Sequence, residues 1–162
     1  MKKKTQKYYN ILVFIILILF SCSSNKESSK FYDMNKTIIW NGMKITYPSD
    51  RISSYINGDL GLHLISIDTK YVDGLQIIKY SRGPLTFSNI KEFTEGNGNR
   101  IIKYGEINYK GNKAFEISYL NNKSKYIYEL YVKSINMVFM YQGNENRFSE
   151  YKLIINNIEL IE

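Results

Sequence analysis

This chain of 162 residues contains only one cysteine, one histidine, one alanine and two prolines. A single cysteine excludes an intrachain disulfide, so the core has to form without such cross-links. One histidine and one cysteine are also too few for the usual zinc sites. We therefore expect no metal and no other cofactor.

The only histidine, His63, would have to serve in any Ser-His-Asp triad, but the sequence contains no nucleophile-elbow motif. Leu62, His63 and Leu64 alternate within a predicted strand, which points the imidazole away from the two leucines. We predict a histidine at the surface or rim of the domain, and we assign no catalytic residue.

The charge distribution does not indicate a nucleic-acid partner. The formal net charge is +7, but Lys2, Lys3, Lys4 and Lys7 lie in the first 21 residues, which contain no acid. Removing these four from the 22 basic residues leaves 18 against 15 acidic residues, a net charge of +3. A charge this small, with no basic cluster, lacks the electrostatic footprint of nucleic-acid binding.

A long hydrophobic run is also lacking. Ile11 to Phe20 are ten consecutive apolar residues, whereas a membrane-spanning helix needs about 20. The run has the length of the apolar region of a secretory signal peptide, and "MKKKTQK" before it matches the positively charged start of such a peptide. The sequence therefore predicts export.

The residues that follow this run resemble the lipobox of bacterial lipoproteins. Leu19, Phe20, Ser21 and Cys22 stand where that motif has an aliphatic residue, a loosely defined residue, a small residue and the cysteine. The resemblance implies that a diacylglyceryl group alkylates the Cys22 thiol and that the chain is cleaved between Ser21 and Cys22. Acylation of the new amino terminus would complete a stable anchor. The alternative is a buried structural cysteine behind an uncleaved anchor.

These features divide the chain into three predicted parts. Residues 1–21 are the lipoprotein signal peptide, residues 22–34 the lipidated cysteine and a polar, flexible tether, and residues 35–162 a single domain. The predicted location is the bacterial cell envelope, on the extracytoplasmic side of a membrane. Membrane lipid is the expected partner of the acyl anchor, and an envelope protein is a further candidate partner. The sequence leaves open which membrane holds the anchor.

Most of the domain is predicted to form strands. Asn41-Gly42 indicates a tight hairpin within residues 37–48, since both turn positions need a positive φ. A second pair is predicted at residues 62–68 and 75–81, around Asp73-Gly74. Hairpins then link the predicted strands at 100–109, 113–120, 125–132 and 137–142, and "NIELIE" predicts a last short strand.

In two segments the apolar residues are spaced as in a helix and not as in a strand. Ile90 and Phe93 are spaced as the apolar side of a short helix that ends at Gly96 to Asn99, and a later helix opened by Asn144 carries Phe148, Tyr151 and Ile154. The predicted fold class is α+β, an antiparallel sheet of about six to eight strands with two short helices packed on its inner face.

This order of elements resembles the PsbP-like fold, over roughly residues 35 to 162. The resemblance rests on Tyr47-Pro48 in "ITYPSD" and on "KGNKAFEISY" at residues 110–119. The family includes extrinsic photosystem subunits and many bacterial lipoproteins. It implies a fold without implying an enzyme, and a fold does not specify a function.

Two groups of side chains are candidates for chemistry. Paired carboxylates could serve an anchored hydrolase acting on envelope polymers, and the pairs close in sequence are Asp68 with Asp73 and Glu92 with Glu95. Tyrosines on strands could form a carbohydrate or protein contact surface, or pack in the core. They are Tyr104, Tyr109, Tyr119, Tyr126, Tyr128, Tyr131 and Tyr141. Trp40, beside the hairpin turn, is open to the same two interpretations.

Because no catalytic constellation accompanies the lipobox, the first functional hypothesis is a membrane-anchored, non-enzymatic binding or envelope-assembly module whose ligand the sequence does not identify. The alternatives are the anchored hydrolase and a purely structural envelope protein.

The anchoring hypothesis predicts the behaviour of Cys22→Ala. This variant should lose all labelling by radioactive palmitate and should accumulate as an uncleaved precursor, because the thiol that receives the lipid is absent. Ser23→Ala, one residue beyond the motif, is the control and should be labelled and cleaved normally. Labelling of Cys22→Ala at the wild-type level would exclude Cys22 as the lipidated residue.

Overall fold

The structure is a computed structural model that describes residues 33–58, 61–67, 73–79 and 87–161. The predicted signal peptide, the cleavage site at Ser21 and Cys22, and the tether up to residue 32 lie outside the described residues. Asp33–Glu162 forms one compact unit. Neither helix in the described part of the chain is long and apolar enough to cross a membrane.

The Asn41-Gly42 hairpin forms as predicted. Asn41 and Gly42 have φ values of 48° and 70°, and they join β1 (Lys36–Trp40) to β2 (Met43–Tyr47). The last strand, β10 (Glu159–Leu160), pairs with the other side of β2. These strands form a three-stranded antiparallel sheet in the order β1-β2-β10.

A second antiparallel sheet has seven strands, which agrees with the predicted six to eight. Its strands are β3 (Ile52–Asn57), β4 (Gly61–Ser66), β5 (Gly74–Lys79), β6 (Arg100–Tyr109), β7 (Asn112–Leu120), β8 (Tyr126–Val132) and β9 (Met137–Gly143). The order across the sheet is β3-β4-β5-β9-β8-β7-β6. One short 3-10 turn, Lys133–Ile135, links β8 to β9, and a second, Glu145–Arg147, follows β9.

One strand was missed by the sequence prediction. β3 was not predicted, because Ile52 is its only buried residue and the segment lacks an alternating apolar pattern. The predicted pair of strands around Asp73-Gly74 is confirmed as β4 and β5, with Gly74 as the first residue of β5. The missed strand is at the edge of the sheet, where burial gives a weak sequence pattern.

The two helices pack on opposite faces of the seven-stranded sheet, whereas the sequence predicted both on its inner face. Helix α1 (Phe87–Gly96) packs Ile90 against Phe115 and Ile117 of β7. Phe93 was predicted on the apolar side of α1, but it is 74% exposed. Thr94 takes the buried position instead, and its hydroxyl is satisfied by a 2.8 Å hydrogen bond to the carbonyl of Ile90.

Helix α2 (Phe148–Asn157) covers the inner face together with the small sheet. Its Tyr151 and Ile154 are buried as predicted, along with Ile155, and Phe148 packs against the rim of the core. Trp40 lies in this core, so the interpretation of it as an exposed contact is wrong. The inner face is therefore closed by α2 and the small sheet, and α1 lies on the outer face.

The hairpin geometry predicts that Gly42→Val destabilises the domain by about 1–2 kcal/mol, because a side chain at positive φ clashes with its own backbone. The matched control is Gly105→Val in β6. Gly105 has an ordinary φ, and no atom lies within 4 Å of an added Cβ. Urea unfolding monitored by circular dichroism should show a lower midpoint for Gly42→Val only. Equal midpoints for the two variants would contradict this account of the turn.

Candidate binding site

The outer face of the seven-stranded sheet differs between its two halves. Over β6, β7 and β8 it is covered by α1, whose Ile90 sits in a small apolar cluster. Over β3, β4, β5 and β9 no other helix or strand of the described residues lies on it. This uncovered half is the candidate binding surface.

Strand register places side chains from four strands in one row on this surface. Tyr55 pairs with His63, His63 with Gln76, and Gln76 with Met140. In the adjacent row, Ile65 pairs with Gly74 and Gly74 with Gln142. Because Gly74 has no side chain, the second row contains a depression between its neighbours.

A shallow cavity of about 200 Å³ occupies this depression, and we refer to it as the outer groove. Its lining residues are Tyr55, His63, Ile65, Gly74, Leu75, Gln76, Met140 and Gln142. None of these lining residues is an aspartate, glutamate, lysine or arginine. The outer groove is therefore an aromatic and amide-lined surface without formal charge when His63 is neutral.

An aromatic pair forms one side of the outer groove. The rings of Tyr55 and His63 are stacked, with centroids 4.4 Å apart and planes 9° from parallel. Leu62 and Leu64 are fully buried on the other face of the sheet, so His63 points away from the core as predicted. Tyr55 remains 50% exposed, which leaves aromatic surface available for contact.

Two glutamine amides face the same space. Gln76 and Gln142 make no side-chain hydrogen bond to any residue that the structure describes. The strands that carry them, β5 and β9, are paired on both sides, as is β4. The backbone N–H and C=O groups of these strands are already used in the hydrogen bonds between strands. Hydrogen bonds to a ligand in the outer groove must therefore come from side chains.

The inner face holds a buried carboxylate, Glu116, that the sequence analysis did not single out. Nζ of Lys152 lies 3.4 Å from Oε2 of Glu116 and donates a 2.9 Å hydrogen bond to the hydroxyl of Tyr128. Lys103 forms a second ion pair with Glu116. Burial raises the pKa of this carboxyl, but the hydrogen bond and charge of the two lysines outweigh it and leave the pKa below its ordinary value.

A second buried cluster contains Asp73 from the predicted carboxylate pairs. Oδ1 of Asp73 accepts a 3.0 Å hydrogen bond from the backbone N–H of Asn144, and its Oδ2 lies 3.5 Å from Nη1 of Arg147. Nη2 of Arg147 donates to Ser66 at 2.8 Å and lies 3.6 Å from Oε2 of Glu150. Oε1 of Glu150 is buried without a partner among the described residues. This arrangement ties α2 to the sheet.

The other predicted carboxylates do not assemble into a site. Asp68 lies outside the described residues. Glu92 and Glu95 are exposed on α1, where Glu95 pairs with Lys91 at 3.8 Å. Within the described residues, no three His, Cys, Asp or Glu side chains are placed to hold a metal ion.

Most of the strand tyrosines belong to the core. Tyr109, Tyr126, Tyr128 and Tyr141 are buried, Tyr119 and Tyr131 are half-buried, and Tyr104 is exposed. Burial raises the pKa of the Tyr109 and Tyr141 phenols. Their neutral hydroxyls donate to the carbonyls of Ile155 and Asn144 at 2.7 and 2.8 Å. The exposed aromatic surface of the outer groove comes instead from Tyr55, on the strand that the sequence pattern missed.

The fold resembles the solution structure of cyanobacterial PsbP (CyanoP) from Synechocystis sp. PCC 6803, with a TM-score of 0.53 and 11% sequence identity. The match covers 74% of this chain and 87% of that chain. The likeness confirms the predicted PsbP-like α+β fold, and at this identity it shows the fold alone. No protein-family model matches the chain, and no curated protein is similar to it in sequence.

The Glu116 cluster predicts a pH-dependent contribution to stability. Glu116→Gln should lower the free energy of unfolding at pH 7 by about 1–2 kcal/mol, because it removes charge-assisted hydrogen bonds from a buried position. Since the folded-state pKa lies below the ordinary value of about 4.3, this contribution is complete above that value. It is lost as the pH falls through the folded-state pKa.

Urea unfolding of the wild-type protein and the variant at pH 7 and at pH 3 measures this difference. Glu106→Gln is the matched control, since Glu106 pairs with Lys113 at 2.8 Å but is exposed. It should change stability by less than about 0.5 kcal/mol. An equal loss for Glu116→Gln at both pH values would contradict the ionic account.

Proposed function

We propose that this protein is a lipid-anchored binding module of the bacterial cell envelope, and that it binds an uncharged ligand in the outer groove. Cys22 carries the anchor, residues after it form the tether, and the α+β domain presents the groove. The proposal for anchoring rests on the lipobox resemblance and the apolar run before it. The proposal for binding rests on the domain.

The observation that carries the binding function is the composition of the outer groove. It combines a stacked Tyr55–His63 pair with the amides of Gln76 and Gln142, which have no partner among the described residues. Aromatic rings and a few convergent polar groups are the usual lining of ligand sites. No lysine, arginine or carboxylate lines the groove, which favours a neutral ligand.

The carboxylates favour binding over hydrolysis. A glycoside hydrolase needs two carboxyl groups that both reach the scissile bond. Asp73, Glu116 and Glu150 are each at least 96% buried, and each is ion-paired with arginine or lysine. These groups stabilise the junction of α2 with the sheet, and none of them faces the outer groove.

Thiol labelling tests whether the outer groove is occupied in the cell. Because Cys22 is the only cysteine and is consumed by the lipid, a Ser53→Cys variant carries one free thiol. Ser53 is exposed and pairs with Ile65 at the edge of the groove, so this variant leaves every lining residue in place. We expect a membrane-permeant maleimide to label position 53 several times more slowly in intact cells than in the detergent-purified full chain. The labelled position is identified by peptide mass spectrometry.

Tyr104→Cys is the matched control. Tyr104 lies on the same face of the sheet at the opposite edge and is exposed to the same extent as Tyr55, at 49% and 50%. The thiol at position 104 should react with the maleimide at the same rate in intact cells and in the purified protein. If position 53 also reacts at the same rate in both, the outer groove is empty in the cell and the proposed function is wrong.

A further inference from the structure

We propose that the ligand of the outer groove is a glycan chain of N-acetylated amino sugars, an inference that rests on the proposed binding function. Three properties of the groove lead to this class of ligand: its position on interior strands, its aromatic side and its pairing of amides with apolar side chains. Each of them restricts the chemistry of the occupant.

The position of the groove disfavours recognition of a polypeptide main chain. Recognition of a peptide main chain by strand addition uses the free N–H and C=O groups of an edge strand. Of the four strands under the groove, β4, β5 and β9 are interior and have both sides paired. A ligand that lies across these strands can contact only their side chains. Its polar groups must therefore hydrogen-bond to amides, and its other groups must pack on aromatic rings.

The aromatic side of the groove suits a sugar ring. The C–H groups on one face of a pyranose carry partial positive charge, and the face of an aromatic ring is negative. Tyr55 and His63 are held in one orientation by their mutual stacking, with ring planes 9° apart. A rigid aromatic surface loses little conformational entropy on binding, which favours weak polar ligands such as saccharides.

The remaining lining matches an acetamido group in particular. This substituent has one N–H donor, one carbonyl acceptor and a methyl group. A glutamine amide offers the complementary acceptor and donors, and both Gln76 and Gln142 line the cavity. Ile65 and Met140 line it beside them, which provides apolar contact for the methyl group. A glucose chain lacks this substituent and should bind less well.

Nuclear magnetic resonance titration of the full chain in detergent micelles tests the inference directly. The probe is the tetrasaccharide of β-1,4-linked N-acetylglucosamine, and the comparison ligand is the glucose tetrasaccharide with the same linkage. Gln76 and Gln142 are the only glutamines besides Gln6, which lies in the predicted signal peptide. The side-chain amide signals of these two glutamines should therefore shift with the N-acetylated probe and report the site itself.

Substitutions define the contribution of each part of the groove. Tyr55→Ala should weaken binding of the N-acetylated probe between about twofold and tenfold, as expected for loss of one aromatic contact. Gln76→Met and Gln142→Met keep side-chain length and remove the amide, and each should weaken binding by a similar factor. Tyr104→Ala, on the same face outside the groove, should leave binding unchanged.

Three outcomes would overturn the inference: no shift of either glutamine amide with the N-acetylated probe, equal affinity for the glucose tetrasaccharide, or tighter binding of a capped neutral peptide of serine and glutamine. These outcomes are separable from failure of the proposed function. If position 53 is protected in cells while the saccharide does not bind, the groove has another ligand. If position 53 is unprotected, the groove is not a binding site.

Discussion

The pairing of β5 with β9 is the contact on which the rest of this domain depends. It joins the meander of β3, β4 and β5 to the meander of β6, β7, β8 and β9, and so makes one sheet of seven strands. On the outer face it sets Gln76 beside Met140 and Gly74 beside Gln142. At the end of the same two strands it brings Asp73 to the backbone N–H of Asn144 and to Arg147. A Cβ at Gly143 would collide with Asp73 and would lie 2.6 Å from the hydroxyl of Tyr141, so any other residue there would displace the Asp73 carboxylate from this junction.

The two faces of this sheet have different chemistry because different elements cover them. The inner face is closed by α2 and the small sheet, and its charged groups are buried in pairs, with Glu116 bound to Lys103 and Lys152. Buried charge is tolerated when it is paired and hydrogen-bonded. The outer groove is formed by rings, amides and aliphatic groups without carboxylates, lysines or arginines. The buried ion pairs of Asp73, Glu116 and Glu150 and the proposed binding surface are thus on opposite sides of one sheet.

Local chemistry explains which elements could be predicted. Asn41-Gly42 and Lys110-Gly111 adopt positive φ in the two hairpins where the sequence placed turns, and in both the second residue is a glycine, which accepts that conformation at low cost. The alternation of Tyr126, Tyr128, Leu130 and Val132 correctly indicated the buried side of β8. Prediction failed where an apolar residue was exposed, as at Phe93, and where an edge strand buried one residue, as in β3. In both places the missing information was which neighbour covers the segment.

The sequence by itself determined the turns, the alternation of the strands and the positions of the two short helices, and it alone carries the anchoring hypothesis at Cys22. Turn geometry and strand alternation depend on residues a few positions apart, so they can be read along the chain. Only the tertiary structure decided that Tyr55, His63, Gln76 and Met140 share one row and that Gly74 opens a groove beside them. That row depends on the register of four strands drawn from distant parts of the chain. A slip of one residue in any of these strands would turn its side chains to the opposite face.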